Sequence, residues 1–421
     1  MQGNAGGKRL HAELALEGRA AVPLAVGIDV AKETHWAAIK VAETGQVLAS
    51  HAVDNTPQAI ADLITEVRAA EAGHGPATVG IDILGGIAAL AGAMLLAEGL
   101  TVVHVPGLAV NRARRATRGG EHKSDPKDAA VIADQVRVRD DLRVVEPARE
   151  IDVELRLLAG RRSEIVADQT RRAQRIRDLL VSVFPGLERH VDVTTLTGLH
   201  LLTRYVTPAE IRRAGKARLT AHLRRAGRVR DTTIDALASA AIAAAQAQRI
   251  AVPGEAVAAS LIRGLAAEAL AGRDQLAVLD KQIAEVLARH PDAALIRSLP
   301  GMGATLTAEF LAITSGAGRF ADGDHLAAAA GLAPVLKQSG KVRYLQRATT
   351  GDKALKRVFY QSAFIAISCD PASKTYYRRK RAEGKTHHQA VLALARRRVN
   401  VLHAMLRNQT PYQPGHVSAA A

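Results

Sequence analysis

The hydrophobic pattern of the N-terminal part of the chain constrains the fold most, because its period changes repeatedly. Residues 22–55 read as three short strands, with a tight connection before HWAAIKVA and an ETGQ turn before VLASHAV. An amphipathic helix follows at 56–73, after which a strand at 77–83, a helix at 86–99 and a strand at 100–106 alternate. Hairpin-connected strands followed by this alternation predict a mixed sheet with helices on its faces.

Two long helical segments, at 150–184 and 255–290, flank a smaller helical insert. Both have apolar residues at a spacing of three and four, namely Ile165, Ala173, Ile176, Leu180 and Val183 in the first, and Leu261, Leu265, Leu276, Leu279, Ile283 and Val286 in the second. This pattern predicts an antiparallel coiled-coil arm. The insert carries eight basic residues from Arg212 to Arg230, including Arg224 and Arg225. They favour a nucleic-acid contact, although a solvated helical linker would have the same composition.

The C-terminal part is mainly helical. The stretch LIRSLPGMGATLTAEFLAIT, at 295–314, has the form of a helix-hairpin-helix, whose turn amides can hold a phosphate. An ordinary glycine turn between two packed helices is the alternative. KQSGKVRYLQRATTG, further along, reads as a loop or irregular hairpin, and two amphipathic or basic helices follow it.

These segments define five parts of the chain. We expect a flexible extension at 1–22, an α/β domain at 23–148, the helical arm with its basic insert at 149–292, a helical domain at 293–410 and a tail at 411–421.

Composition narrows the function. The net charge of +16 and the pI of about 10.3 favour a polyanionic partner, most often a nucleic acid. Aromatic residues make up only 3% of the chain, which argues against a sheet surface that stacks on bases. The single cysteine, Cys369, excludes an intrachain disulfide and a cysteine-based zinc cluster. No signal-peptide core is visible, and the apolar run at 83–97 is too short to span a bilayer. We therefore expect a soluble, cytoplasmic protein with no membrane partner.

Four acids form the pattern that carries chemistry. Asp29 and Asp82 each lie in an apolar strand, in GIDV and GIDI, where an ionised carboxylate is costly unless it is paired or bound to a metal. Asp125 and Asp128 open a helix, and their spacing of three puts them on one face. Each acid alone also fits a strand-end, helix-capping or ion-pairing role. Together they are typical of a site that holds two Mg²⁺ ions for phosphoryl transfer.

The motifs VGIDVAKETHW, VGIDILGG, HKSDPKDA, RSLPGMGATLTAEFLA, GLAPVLKQSGK and TTGDKALKRVFYQSAF occur in this order along the chain. In order and spacing the chain resembles the DEDD transposases of the bacterial insertion-sequence family numbered one hundred and ten, over most of residues 25–410. The resemblance implies a RuvC-like ribonuclease-H-fold domain, a coiled-coil arm and a C-terminal transposase domain.

The resemblance also implies roles for five residues. Asp29 matches the family's first acid, and Asp125 and Asp128 match its closing pair. The second acid is normally a glutamate, but this chain has Asp82, which is one methylene shorter. Ser339 matches the serine that attacks DNA and forms a phosphoserine link in such proteins. Taken alone, KQSGKV is a polar turn, and nothing within it identifies a nucleophile.

Several cations could contact nucleic acid or stabilise charge at the reacting phosphate. They are Arg112, Arg114 and Arg115 after the predicted sheet, and Lys337, Lys341, Arg343 and Arg347 around the serine.

The family further implies donor and target DNA as substrates, a non-coding bridge RNA as guide, and a homodimer or homotetramer associated with the bacterial nucleoid. Two alternatives stay open. A RuvC-like structure-specific nuclease would use a metal-activated water, with Ser339 as a turn residue only. A catalytically inactive DNA/RNA-binding protein is the other, because Asp82 departs from the family pattern.

Overall fold

The computed structural model describes residues 22–116, 122–227, 229–315, 320–340, 342–346 and 348–414. The extension predicted at 1–22, apart from residue 22 itself, lies outside the described residues, as do Lys341, Arg347 and most of the predicted tail at 411–421. The chain divides into two compact units, Met1–Pro147 and Ala148–Ala421. No helix among the described residues is both long enough and apolar enough to cross a membrane.

The N-terminal unit contains a mixed sheet, as the sequence predicted, but with six strands, because residues 143–144 add a short strand that was not predicted. Its strands are β1 (Leu24–Asp29), β2 (Thr34–Val41), β3 (Val47–Asp54), β4 (Ala77–Ile81), β5 (Thr101–His104) and β6 (Arg143–Val144). They lie in the order β3-β2-β1-β4-β5-β6. The central strands β1, β4 and β5 run parallel, whereas β2, β3 and β6 are antiparallel to their neighbours. Parallel neighbours bring the carboxyl ends of β1, β4 and β5 to one edge of the sheet.

Among its described residues this unit has the α-helices α1 (Pro57–Gly73), α2 (Ala89–Ala97), α3 (Gly107–Ala116) and α4 (Asp125–Val138). Thr56 caps α1 by accepting a hydrogen bond from the Ala59 amide, and Pro57 opens the helix as expected. The predicted helix at 86–99 is shorter in the structure, because Gly86–Ala88 form a single turn of 3₁₀-helix before α2.

Two strand glycines let α4 approach the sheet closely. A Cβ atom at Gly27 of β1 would overlap the backbone of Ala129 and Ala133, and one at Gly80 of β4 would overlap the Val136 side chain. Lys40 of β2 adds a hydrogen bond between the sheet and α4, because its buried Nζ donates to the Ala130 carbonyl oxygen over 3.0 Å. These contacts fix the part of α4 that follows Asp128 against β1, β2 and β4.

In the C-terminal unit, α5 (Glu150–Val183) and α10 (Glu255–Arg289) form a long antiparallel pair. Ion pairs link the two helices at Glu154–Arg289, Arg162–Asp280 and Arg172–Glu268. The predicted inner face of α5 is confirmed, because Ile165, Ile176, Leu180 and Val183 are buried and Ala173 packs against the core.

One part of the predicted inner face of α10 is wrong. Leu261 is 50% exposed, and its neighbour Ile262 is fully buried instead. The seam of α10 is made largely of small residues such as Ala266, Ala269 and Gly272. At Gly272 the partner helix comes so close that Gln169 of α5 donates a hydrogen bond to the Ala269 carbonyl oxygen, over 2.6 Å. Leucine spacing alone could not reveal a seam of this kind.

Between the two long helices lie α6 (Pro185–Glu188), α7 (Leu196–Leu202), α8 (Pro208–Leu223) and α9 (Asp231–Ala247), which share a core with one end of the pair. A second core joins the other end of the pair to α11 (Ala293–Ser298), α12 (Ala304–Thr314), α13 (Gly323–Ala329), α14 (Lys353–Cys369) and α16 (His387–Asn408), with α15 (Pro371–Ala382) at its edge.

The Pro-Gly-Met-Gly turn between α11 and α12 packs against α14. A Cβ atom at Gly301, whose φ is +83°, would overlap the Ser362 carbonyl oxygen. Arg398 of α16 is buried and donates to the Pro300 carbonyl oxygen and to the Ser362 hydroxyl group. These contacts are those of a packing turn, so its use as a phosphate site stays a prediction.

Candidate active site

The sheet brings Asp29 and Asp82 side by side. Asp29 is the last residue of β1, and Asp82 directly follows β4. Because Ile28 and Ile81 are paired in the parallel register of these two strands, the acids that follow them leave the sheet at the same edge. Both acids therefore lie at strand ends rather than in the middle of apolar strands.

The four predicted acids act on one another electrostatically. The pKa of Asp29 is raised to about 7, first by burial and then by the charges of Asp82, Asp128 and Asp125, while Lys123 opposes the shift. The charges of the other three acids therefore reach Asp29 through space, and we call these four residues the acid cluster.

Asp82 is only partly satisfied at this site. Burial raises the pKa of its carboxyl group, hydrogen bonds from the backbone amides of Val30 and of Asp82 itself oppose this shift, and the charge of Asp128 raises the pKa further. Its Oδ1 atom is buried without a hydrogen-bond partner. A buried carboxylate oxygen that lacks a partner is energetically costly and favours a bound cation.

Asp128 is held by an arginine. It is buried on α4, and Nη1 of Arg114 donates to both of its carboxylate oxygens over 2.8 and 2.7 Å. Arg114 was predicted to contact nucleic acid, but this side chain is only 9% exposed and faces the acid cluster. The expectation is corrected accordingly: Arg114 is a counter-ion of Asp128, whereas its neighbours Arg112 and Arg115 are exposed.

The donor set suits Mg²⁺. The described residues contain no group of three or more His, Cys, Asp or Glu side chains close enough together to hold a metal ion. Mg²⁺ does not need such a group, because it keeps several waters and is often bound through one or two carboxylates. Asp29 and Asp82 provide two adjacent carboxylates, one with an unpartnered oxygen, and exposed Asp125 lies at the rim on the first turn of α4.

His104 is a member of the site that the sequence analysis missed. It ends β5, the third parallel strand, and its Nε2 lies 3.3 Å from the Asp82 carbonyl oxygen. Its charge lowers the pKa of Asp82, against the effect of burial. The signal was present in LTVVHVP, an apolar strand that ends in a histidine, like the two strands followed by acids.

Ser339 lies in the other unit, on a hairpin. β7 (Val335–Ser339) and β8 (Val342–Gln346) form a regular antiparallel pair in which Ser339 is opposite Val342. The expectation of a loop or irregular hairpin is therefore replaced by a regular two-stranded hairpin. Gly340, with φ of +56°, begins the turn, and every described residue of both strands is exposed.

The register of the two hairpin strands places the predicted cations Lys337 and Arg343 on opposite faces of the hairpin. Side chains alternate between faces along a strand, and residues directly opposite each other share a face. Lys337, paired with Tyr344, thus lies on the face of Ser339, whereas Arg343 lies on the opposite face. Among the described residues of the hairpin strands, Lys337 is the predicted cation that shares a face with Ser339.

Arg224 and Arg225 lie in a short 3₁₀ turn, Arg224–Ala226, after α8. Both side chains are exposed, and Arg224 forms an exposed ion pair with Asp231 over 3.1 Å. A nucleic-acid contact at these two residues stays a prediction.

Two family models match the chain. A DEDD transposase model, described as "Transposase", covers residues 26–185, which include all four acids. A second, described as "Transposase IS116/IS110/IS902 family", covers residues 293–378, which include Ser339. The chain belongs to the IS110 family of transposases. Both matches are in the order that the sequence motifs predicted.

Relatives of full length agree with this assignment. The chain is 43% identical to the insertion element IS900 uncharacterized 42 kDa protein of Mycobacterium paratuberculosis, over 95% of this chain and 100% of that protein. It is 41% identical to the insertion element IS116 uncharacterized 44.8 kDa protein of Streptomyces clavuligerus, over 92% and 96%. It is 38% identical to the insertion element IS110 uncharacterized 43.6 kDa protein of Streptomyces coelicolor, over 94% and 98%. Membership of the IS110 family implies that the chain is a DNA-cutting and rejoining enzyme.

Proposed function

We propose that this IS110-family transposase recombines donor and target DNA through a phosphoserine intermediate. In this proposal Asp29, Asp82, Asp125 and Asp128 hold Mg²⁺, and Ser339 is the nucleophile. A bridge RNA selects the DNA sites, and the enzyme works as a homodimer or homotetramer at the bacterial nucleoid.

The acid cluster is the observation that carries the proposal. The pKa of Asp29 is raised by burial and by the charges of Asp82, Asp128 and Asp125, and Oδ1 of Asp82 is buried without a hydrogen-bond partner, so the arrangement is costly without a cation. Mg²⁺ bound there would neutralise this charge and polarise a DNA phosphate. Arg114 keeps Asp128 oriented, and Lys123 partly offsets the negative charge around Asp29.

The hairpin supports a role for Ser339 as a nucleophile. The serine Oγ would form a bond to phosphorus while its proton is transferred away, and the bond from phosphorus to the leaving DNA oxygen would break. The leaving oxygen would depart as a hydroxyl group. Exposure of the described residues of both hairpin strands gives a DNA strand access to Ser339, and Lys337 on the same face can stabilise the additional negative charge on the phosphate.

Substitution of the serine tests the chemistry. Ser339→Ala removes Oγ from an exposed position, so we expect it to abolish both covalent protein–DNA adducts and strand cleavage without loss of stability. Adducts are measured by denaturing gel electrophoresis with end-labelled DNA. The matched control is Ser368→Ala on α14, which removes an exposed hydroxyl group far along the chain from the hairpin.

The outcomes separate the proposal from its alternatives. If Ser339→Ala cleaves DNA like the unmodified protein, a metal-activated water is the nucleophile and the chain is a RuvC-like nuclease. If the unmodified protein gives no adduct or cleavage with Mg²⁺, and Asp29→Ala changes neither DNA binding nor cellular phenotype, the chain is a binding protein only.

The guide RNA has a separate test. A net charge of +16 is compatible with binding RNA as well as DNA. We expect recombination in vitro to require RNA transcribed from the non-coding DNA beside the gene. Changing the loop of that RNA should redirect cutting to a DNA site complementary to the new loop. Equal activity on the original site without RNA would contradict guidance.

A further inference from the structure

The few aromatic residues of the chain are unevenly distributed. The sequence contains one Trp, six Tyr and five Phe, yet Tyr360, Phe364 and Tyr377 come together on α14 and α15. Phe364 is 54% exposed, although it is a large apolar ring, and Tyr360 and Tyr377 are half-buried. Exposed rings in a chain so poor in aromatics call for an explanation.

Two histidines complete this group of rings. His387 lies 6.0 Å from Phe364 and 5.7 Å from Tyr377 between ring centroids, in edge-to-face geometry, and its Nδ1 is 2.8 Å from the Tyr377 hydroxyl group. His388 lies 5.1 Å from the Tyr360 ring. Both histidines are exposed on the first turn of α16. We call Tyr360, Phe364, Tyr377, His387 and His388 the ring surface.

Cations border the ring surface on α15. Lys374 and Arg381 lie three residues before and four residues after Tyr377, so both lie on its side of the helix, and Arg378 lies between them at spacings of four and three. All three are exposed, and within the described part of the chain none forms an ion pair with a carboxylate, although Arg381 donates to the Lys385 carbonyl oxygen. Arg379 and Lys380 instead pair with Glu383. The charge next to the rings is therefore available to an anionic partner.

We propose that the ring surface binds single-stranded nucleic acid. Unpaired bases would stack on Phe364 and the neighbouring rings, while Lys374, Arg378 and Arg381 contact the phosphates. Rings beside unpaired cations are the combination that single-stranded nucleic acids require, because each nucleotide presents both a flat base and a negative charge. A purely apolar protein partner would leave the cations without a counterpart. In a duplex, the base faces are already stacked on one another and are not accessible to the rings.

This binding is distinct from the proposed cutting reaction. None of the five ring residues or three cations belongs to the acid cluster or to the hairpin of Ser339. Binding is therefore measured on the Ser339→Ala protein, in which cutting chemistry cannot alter the DNA, and a failure of the proposed nucleophile would not affect the result.

Substitutions at Phe364 test the stacking. Fluorescence anisotropy would measure the affinity of the full-length protein for a labelled single strand, as DNA and as RNA, and for a DNA duplex of the same sequence. We expect Phe364→Leu to weaken binding of at least one of the single strands about ten-fold while leaving the duplex unchanged. Phe364→Tyr keeps the ring and should keep the affinity. Ile365→Ala is the matched control, because Ile365 is a neighbouring apolar side chain that is 45% exposed and has no ring.

The cations have their own test. Arg378→Gln should weaken the binding of single strand and duplex alike. It should also reduce the slope of log K against log salt concentration by about one, as expected for the loss of one phosphate contact.

The outcomes for Phe364→Leu decide the proposal. Loss of affinity for DNA alone or for RNA alone supports it and identifies which kind of strand binds. The proposal is overturned if Phe364→Leu leaves both single strands unaffected, or if it weakens the duplex as much as the single strands.

Discussion

The carboxyl group of Asp29 makes the acid cluster sensitive to pH. Its ordinary pKa is 3.8, whereas burial and the neighbouring acids raise it to about 7 in the folded chain. Between these two values the folded chain holds a proton that the unfolded chain has released, so the free energy of unfolding falls as pH rises from about 4 to about 7. Above pH 7 the full cost of the charged carboxylate is present.

The variant Asp29→Asn should therefore be stabilised at high pH only. We expect its melting temperature to exceed that of the unmodified protein at pH 8 and to match it near pH 4.5, by thermal denaturation without Mg²⁺. Because the group is half-exposed, solvent screening limits the gain to about 1–2 kcal/mol. Added Mg²⁺ should raise the melting temperature of the unmodified protein more at pH 8 than at pH 5.5, and that of the variant less.

Glu43→Gln is the matched control, because Glu43 is an exposed acid of the same unit, in the turn between β2 and β3, and is not a member of the acid cluster. An equal difference in melting temperature at both pH values would show that Asp29 does not carry a raised pKa.

At the scale of the elements, the acid cluster depends on the distance between α4 and the sheet. A Cβ atom on Gly27 would overlap the backbone of α4, which neither element can avoid by rotating a side chain. We expect Gly27→Ala to lower the free energy of unfolding by about 1–3 kcal/mol. It should also weaken Mg²⁺ binding, because α4 would carry Asp125 and Asp128 away from Asp29. Chemical denaturation and isothermal titration calorimetry measure the two effects.

Gly92→Ala on α2 is the control that distinguishes the loss of close packing between α4 and β1 from a general effect of replacing glycine by alanine. A Cβ atom at Gly92 would meet no neighbouring atom, and alanine favours a helix over glycine by about 1 kcal/mol. The control should thus be neutral or stabilising and should leave Mg²⁺ binding unchanged. If Gly27→Ala behaves like Gly92→Ala, close packing of α4 on β1 is not what holds the cluster together.

The elements also show what the sequence could and could not reveal. Alternation of strands and helices predicted the mixed sheet, since burial of one face imposes a clear period. The hairpin of Ser339 was missed as a regular element because all its described residues are exposed, so no buried face imposes an alternating pattern. Arg114 was read as part of a basic surface because its partner, Asp128, lies fourteen residues away and only the fold brings them together.

At the scale of the whole molecule, the acids and the serine belong to different units. The acid cluster lies in Met1–Pro147, and the hairpin of Ser339 lies in Ala148–Ala421. Metal-assisted phosphoryl transfer needs the ion and the nucleophile on the same phosphate. The family resemblance implies a composite site of this kind, and the proposed function extends it to the acids of one subunit acting with the serine of another, which would make assembly a condition for cutting.

Mixing two inactive variants tests this arrangement. Asp29→Ala removes one acid, and Ser339→Ala removes the nucleophile, so neither protein alone should form a covalent adduct with DNA. In a mixed assembly, the acids of the second variant and the serine of the first would together form one intact site. We expect adducts to reappear after subunit exchange, on the Asp29→Ala chain alone, which a size tag on one variant would identify. No adduct after verified exchange would mean that each subunit completes its own site.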